Sequence, residues 1–231
     1  MKVSIWKKVC AVSAFALLVA SSYAAELKNV GSNGSIGVGT YSTQAEYKDV
    51  KVVGADGKVV YESGELKDTK GWVTEEGEWK VKEGALAQTG SPEGNISQAV
   101  LDKAMPAEYT LTLKARKTGG DEGFLILFRA KGFPDGERCC WNLGGWGNTQ
   151  TSLDGAEYVI DDLKKDEKEI ETNKWYNIKI EVTAKGVRCS LNDRLIYNVD
   201  KAGKAIEEKK ADKKADEKKD DKKADDKKAA K

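Results

Sequence analysis

The sequence predicts an all-β protein, an antiparallel β-sandwich or jelly roll, and three observations support this fold class. Between residues 36 and 200, short runs alternate apolar and polar side chains with the period of two that marks half-buried strands. Turn signals rich in glycine, asparagine and aspartate recur about every ten residues. Helical periodicity is weak, and the chain of 231 residues contains 3 prolines. Together these features predict one domain made of two packed sheets.

The first predicted strands come in pairs separated by glycine turns. EYKDVKVV alternates Tyr47, Val50 and Val52 with polar residues, and the turn GADGK leads into VVYESG. A second alternating run, EWKVKEGALAQTG, contains a glycine turn of its own. The stretch SQAVLDKAMP fits either a short helix or a strand that ends at Pro106.

The later predicted strands include the most apolar run of the domain. EYTLTLKARK divides into an apolar face and a polar face, and the apolar face contains Tyr109, Leu111, Leu113 and Ala115. GFLILFRA is apolar on both faces, which predicts a central strand covered on two sides. KWYNIKIEVTAKGVRCSLNDRLIYNV predicts three more strands, with turns at AKG and ND. Residues 154–172 are predicted as a charged surface connection, with one strand in EYVID.

The two ends of the sequence are predicted to lie outside the domain. Residues 1–24 have a basic start, a short apolar run and small residues at Ser22 and Ala24, which predicts a cleavable signal peptide and a secreted or periplasmic protein. Residues 25–35 would be a linker. Residues 201–231 consist almost entirely of Lys, Asp, Glu and Ala, so we expect a disordered or fraying helical tail. A tether to a cell-surface polymer is the functional alternative for this tail.

Composition excludes several classes of function. The 39 basic and 38 acidic residues nearly balance, and both predicted end segments are basic, so the domain is mildly acidic and unsuited to nucleic acid. No mature segment is long enough to span a membrane. The absence of histidine excludes Ser-His-Asp and Cys-His catalysis. We expect a monomer without a cofactor, in which a structural calcium ion is the one metal to consider.

Three cysteines remain after the predicted signal peptide. In an oxidising compartment, Cys189 is predicted to pair with Cys139 or Cys140, and buried thiols are the alternative. Adjacent residues on a strand point to opposite faces, so no more than one of the two neighbours can face Cys189.

The stretch CCWNLGGWGNTQ contains the side chains that suit a sugar. Sugar rings present C–H faces that pack on aromatic rings, and their hydroxyls need amides, carboxylates or guanidinium groups. Trp141 shares a strand face with Leu143, which favours a core position, and the asparagines could simply cap a turn. Trp146, between glycines, is the stronger stacking candidate. The predicted carbohydrate-binding residues are Arg129, Trp141, Asn142, Trp146, Asn148 and Gln150.

Carboxylates offer a second kind of chemistry. Glycoside cleavage needs two carboxylates, and Glu122, beside the apolar strand, is the catalytic candidate, with a solvated turn residue as the alternative. Asp121 and Glu122 are also weak calcium candidates.

Six ordered motifs between Ile36 and Val199 resemble the lectin-like module attached to bacterial family-51 α-L-arabinofuranosidases. They are GVGTYSTQAEYKDVKV, GEWKVKEGALAQT, YTLTLKARKTGGDEGFLILF, WNLGGWGNTQ, KWYNIKIEV and VRCSLNDRLIYNV. The resemblance implies a concanavalin A-like or laminin-G-like jelly roll associated with plant polysaccharides. It also implies that the first motif pairs with the last strand.

The chain departs from that family in ways that limit the transfer of function. The catalytic (β/α)₈ barrel of the arabinofuranosidases has no counterpart in the sequence, so the expected function is carbohydrate binding without catalysis. Cysteines also stand in CCWNLGG where the family pattern suggests aromatic residues. The alternatives are a glycoside-cleaving enzyme on the same sandwich, as in the 3-keto-disaccharide hydrolase-like group, and an envelope-associated interaction protein.

Overall fold

The structure is a computed structural model that describes residues 26–90, 94–133, 137–155, 164–165 and 169–207. The predicted signal peptide, the strand predicted in EYVID and most of the predicted tail lie outside these residues. In chain order the elements are β1 (Ser35–Tyr41), β2 (Thr43–Gly54), β3 (Val59–Glu62), β4 (Trp72–Glu75), β5 (Trp79–Lys82), β6 (Ala85–Gln88), β7 (Ile96–Leu101), β8 (Tyr109–Gly120), β9 (Phe124–Ala130), β10 (Cys139–Gly144), α1 (Gly145–Asn148), β11 (Gln150–Gly155), β12 (Lys164–Lys165), β13 (Trp175–Val182), β14 (Gly186–Leu191) and β15 (Arg194–Asp200).

The strands form two antiparallel sheets, which confirms the predicted β-sandwich. Sheet A has seven strands in the order β12-β11-β10-β9-β1-β7-β4. Sheet B has eight, in the order β15-β14-β13-β8-β2-β6-β5, and β3 pairs with β2. Among the described residues no helix is long and apolar enough to cross a bilayer.

The hydrophobic core lies between the inner faces of the sheets. Side chains such as Ile126, Phe128 and Trp141 of sheet A belong to one buried cluster with Tyr47 and Leu111 of sheet B. Period-two alternation supplies this cluster from both sides, because every second residue of a strand faces inward. In β8 the buried and half-buried residues alternate as predicted, and β9 is buried along its whole length.

Sheet A also has an apolar cluster on its outer face, where a solvated antiparallel sheet would normally be polar. This outer cluster consists of Val100, Leu125, Leu127, Ala130 and Cys140. Leu27 and Phe133 pack against it from the flanking segments. Both faces of β9 are therefore covered.

The chain passes from sheet A to sheet B at Ser42. This residue adopts a left-handed φ of 44° between β1 and β2, so the first sequence motif forms two strands in different sheets. The expected pairing of this motif with the last strand is wrong. β1 pairs with β7 and β9, β2 pairs with β3, β6 and β8, and β15 pairs with β14 at the edge of sheet B.

The segment after β15 continues to interact with the domain. Residues 201–207, predicted as the start of the tail, turn back so that the Ile206 amide donates to the Asn198 carbonyl at 2.8 Å. The Asn198 side chain returns a hydrogen bond to the Ile206 carbonyl at 2.7 Å.

Candidate functional site

The outer face of sheet A contains an open hollow of about 510 Å³, which lies within the size range of small-ligand pockets. Its walls and floor come from five strands of sheet A and from the turns beside them. The lining residues are Tyr41, Ile96, Glu122, Leu125, Arg138, Cys140, Asn142, Trp146, Asp154 and Gly155.

The floor of the hollow is made by small and apolar side chains. Leu125 and Cys140 face outward from β9 and β10 and are 5% and 4% exposed. Beside them, β1 carries a glycine at position 39, where an added Cβ would lie 2.6 Å from the Ser97 carbonyl oxygen and 3.5 Å from the Leu125 Cβ. Because no side chain fits there, the floor stays low over the middle of the sheet.

A buried phenol supports this floor from inside. The Tyr47 hydroxyl crosses the core from sheet B and donates a 2.5 Å hydrogen bond to the Gly39 carbonyl. Burial, with a smaller contribution from Cys140, raises the pKa of Tyr47 well above its ordinary value. The phenol therefore remains protonated and keeps its role as a donor.

Strand register gives the hollow a direction and two ends. Tyr41 pairs with Ile96 at the end of β1, on the side where Glu122 and Trp146 lie. Cys140 pairs with Asp154 at the other end of β10, next to Arg138. The first group is called the aromatic end below, and Arg138 with Asp154 and Gly155 is called the arginine end.

Trp146 stands on a left-handed turn at the aromatic end. The φ angles are 66° at Gly144, 50° at Trp146, 68° at Gly147 and 66° at Asn148. A left-handed conformation costs about 1–2 kcal/mol at each non-glycine residue, so the surrounding structure must impose it here. The result is an indole that is 49% exposed.

Hydrogen bonds from three directions hold this turn. The side-chain amide of Asn148 donates through its nitrogen to the Ile170 backbone carbonyl at 3.1 Å, and its oxygen accepts from the Ile170 backbone N–H at 2.9 Å. The Thr149 hydroxyl donates to the Trp146 carbonyl at 2.8 Å, and Glu122 accepts from the Gly147 amide at 3.3 Å. A Cβ at Gly144 would lie 2.5 Å from the Asn148 Oδ1, so only glycine fits there. The backbone that carries the indole is therefore held in place before any ligand arrives.

The predicted site residues divide between the hollow and other surroundings. Trp146, Asn142 and Glu122 line the hollow. Trp141 is fully buried in the core, and its indole N–H donates to the Thr151 hydroxyl at 3.0 Å. The Asn148 side chain is 6% exposed and is used by Ile170, so it positions the turn.

The two remaining predicted residues, Arg129 and Gln150, lie away from the hollow. Gln150 is half-buried at the start of β11 and is not among the lining residues. Arg129 is 8% exposed and donates to the Ala107 carbonyl at 3.0 Å. The φ of Arg129 is 51°, and a register shift between β9 and β1 occurs at the same place. This β-bulge interrupts the inward–outward alternation of β9, so Arg129 does not continue the outward-facing series that contains Leu125.

The cysteines are thiols in the structure. Cys139, Cys140 and Cys189 are all buried, and the predicted bridge to Cys189 is not formed. Cys139 and Cys189 belong to the core cluster, whereas Cys140 belongs to the outer cluster. The two neighbours therefore do face opposite sides of sheet A.

The weak calcium candidates face different partners. Asp121 lies near Lys117, whose pKa is lowered by burial and partly restored by Glu169 and Asp121. Glu122 instead contacts the turn at Gly147. Among the described residues, no group of three or more His, Cys, Asp or Glu side chains is placed to hold a metal ion.

Among the charged and aromatic residues that line the hollow, the sequence reasoning missed three. Tyr41, Arg138 and Asp154 come from β1, from the segment before β10 and from β11. Strand alternation could have identified Arg138, because positions 138 and 140 lie on the same face of a strand as the predicted residue Asn142. Tyr41 and Asp154 join them only through strand register.

Comparison with known proteins gives one family and one curated relative. Residues 64–224 match the family described as the 3-keto-alpha-glucoside-1,2-lyase-like domain. An extracellular exo-alpha-L-arabinofuranosidase of Streptomyces chartreusis is 35% identical over 164 residues, which are 69% of this chain and 19% of that protein. The chain thus spans about a fifth of the length of this relative. No solved structure matches.

Proposed function

The chain belongs to the 3-keto-alpha-glucoside-1,2-lyase-like domain family, and from this premise we propose that it is a carbohydrate-binding, lectin-like domain without catalysis of its own. Its ligand would be a plant-type polysaccharide or a related glycan. The similarity to an arabinofuranosidase supports an accessory module of the kind attached to such enzymes.

One observation carries this proposal: an indole that is 49% exposed is held in a left-handed turn at the rim of an open hollow. Such an arrangement leaves a ring face available to the C–H face of a sugar. Asn142, Glu122 and Arg138 line the same hollow and can hydrogen-bond to hydroxyl groups.

The expected affinity is weak because the site is open. Ordering a flexible glycan offsets much of the contact energy, and we expect a Kd of about 10 μM to 1 mM. An exported monomer is the proposed state, supported by the signal-like sequence of residues 1–24 and by the similarity to an arabinofuranosidase that is itself named as extracellular. The domain of residues 36–200 would then be extended by residues 201–207, which hydrogen-bond to its last strand, and the charged tail would follow them.

The direct test is calorimetry with arabinan, arabinoxylan and galactan. Trp146→Ala should lower the affinity for the bound polysaccharide tenfold or more, because the stacking surface is removed. Val59→Ala is the matched control, because Val59 is 52% exposed on β3 of sheet B. Unchanged affinity in the Trp146 variant would remove the site assignment.

A lyase or another glycoside-cleaving enzyme is the second candidate. Glu122 lines the hollow, where its carboxyl group can act as the general acid or base of a bond-cleaving reaction. The family description itself names lyase chemistry. Product release from chromogenic glycosides or 3-keto-glucosides, abolished by Glu122→Gln, would favour this candidate over binding alone.

A further inference from the structure

The two most exposed aromatic side chains of the described residues lie in the same hollow. Tyr41 is 38% exposed and Trp146 is 49% exposed, and both belong to the aromatic end. They come from elements about a hundred residues apart in sequence, so local composition does not explain why they meet. Two ring faces beside one recess indicate more than one place for a sugar to stack.

Tyr41 is held in place by the crossover that follows it. Ser42 leaves β1 with a φ of 44°, and its hydroxyl accepts a 2.8 Å hydrogen bond from the Gly94 amide. The backbone at Tyr41 also pairs with Ile96 of β7. The phenol therefore projects from a fixed strand end, and little conformational freedom of the backbone is lost when a ligand packs against it.

The opposite end of the hollow has different chemistry. Arg138 is 6% exposed there, and Asp154 is exposed on the neighbouring strand. A guanidinium group and a carboxylate are donors and acceptors for hydroxyl groups, and neither offers an aromatic face.

The distance between the ends exceeds the size of one sugar ring. In and beside β10, every second residue faces outward, at positions 138, 140, 142 and 144. The register of β10, β9 and β1 places position 144 opposite Tyr41 across the sheet. At about 3.3 Å per residue, the six steps from 138 to 144 span about 20 Å. Leu125, Cys140 and the glycine at position 39 keep the floor low along this path.

We infer that the hollow binds a glycan chain segment of at least two sugar units, with Tyr41 and Trp146 stacking at one end and Arg138 and Asp154 hydrogen-bonding a later unit. This inference rests on the proposed carbohydrate-binding function. It adds Tyr41 as a stacking residue and makes an oligosaccharide, rather than a monosaccharide, the ligand.

The test is calorimetry with oligosaccharides of one to five units prepared from arabinan, arabinoxylan and galactan. In the series that binds, affinity should rise at least tenfold from one unit to three. Tyr41→Ala should lower trisaccharide affinity at least fivefold. Leu195→Ala is the control, because Leu195 is 39% exposed on β15 and lies outside the hollow.

The arginine end is tested at its exposed residue. Asp154→Ala should weaken the trisaccharide at least threefold and leave the monosaccharide unchanged, and an unchanged melting temperature shows that the fold is intact. Equal affinity for one and three units, or full trisaccharide affinity in Tyr41→Ala, would overturn the inference while leaving carbohydrate binding in place. No binding by any oligosaccharide or polysaccharide would overturn both.

Discussion

The outer faces of the two sheets obey the same alternation and yet differ in chemistry. On sheet A, the outward residues of β9 and β10 include Leu125 and Cys140, which form the floor of a hollow. On sheet B, the outward residues of β8 include Lys114 and Arg116, each in an ion pair with an acidic residue of β2. The second pattern is that of a solvated sheet surface, and the first is that of a recess.

Each face also carries a tryptophan, and the two indoles have different neighbours. On sheet B, the Lys48 ammonium lies 4.3 Å from the centre of the Trp175 ring and the Arg116 guanidinium lies 4.6 Å from it. These two side chains thus cover the indole of Trp175, on which a sugar would have to stack. At the rim of sheet A, Trp146 is exposed and the hollow lies beside it. An outward-facing position in the sequence pattern therefore does not show whether a tryptophan ring is open to a ligand, because neighbouring side chains can cover it.

The largest expected effect distinguishes the interior of sheet A from its rim. Trp141→Ala removes a fully buried indole and its hydrogen bond to Thr151. We expect this substitution to lower the free energy of unfolding by about 3–5 kcal/mol. Trp146→Ala should change stability by less than about 0.5 kcal/mol, because the ring is on the surface. Chemical denaturation of both variants measures this. Equal losses would contradict the assignment of one ring to the core and the other to the surface.

A smaller effect is expected on sheet B, where Glu46 is buried beneath two cations. Burial raises the pKa of this carboxyl, but hydrogen bonds and charge attraction from Arg116 and Lys82 outweigh it, so the pKa lies below its ordinary value. Glu46→Gln should cost about 1–3 kcal/mol of stability at neutral pH. Glycan affinity should stay unchanged, because these residues lie on the opposite face from the hollow.

The pH dependence of stability follows from the direction of that shift. A carboxyl with a lowered folded-state pKa contributes stability that is fully present above its unfolded pKa, about 4.3, and is lost as pH falls through the folded value. Thermal melts of the wild type and Glu46→Gln should therefore converge as the pH is lowered below about 4. A constant difference between pH 7 and pH 3 would contradict this role of Glu46.

The smallest effect is expected for the cation over Trp175. Lys48→Ala should cost about 0.5–1 kcal/mol, the usual strength of an exposed cation–π contact. It should also shift Trp175 emission without changing glycan affinity. A gain in affinity would show that an uncovered indole on sheet B is enough to bind sugar, and the contrast between the two faces would fail.

Much of the fold could be predicted from the sequence because its cause is local. The alternation in EYTLTLKARK placed Tyr109, Leu111, Leu113 and Ala115 inward, and all four are buried. The apolar run of β9 is covered on both faces, as expected. Glycines on both sides of Trp146 similarly indicated a turn that leaves the ring exposed.

The rest depended on interactions that a local pattern does not contain. The bulge at Arg129 directs its side chain away from the hollow. The sequence GFLILFRA contains no residue pattern that predicts this bulge. Tyr41 and Asp154 reach the hollow through the register of β1 and β11 with their neighbours. Asn148 looked like a ligand contact, but its amide is used by Ile170 in a segment that is distant in sequence.

The central claim is that the outer face of sheet A, and not that of sheet B, meets the glycan. The most direct measurement is a nuclear magnetic resonance titration of the indole N–H signals with the best-binding oligosaccharide. We predict that the Trp146 signal moves in a saturable way while the Trp175 signal stays in place. Movement of Trp175 with a stationary Trp146 would contradict the account.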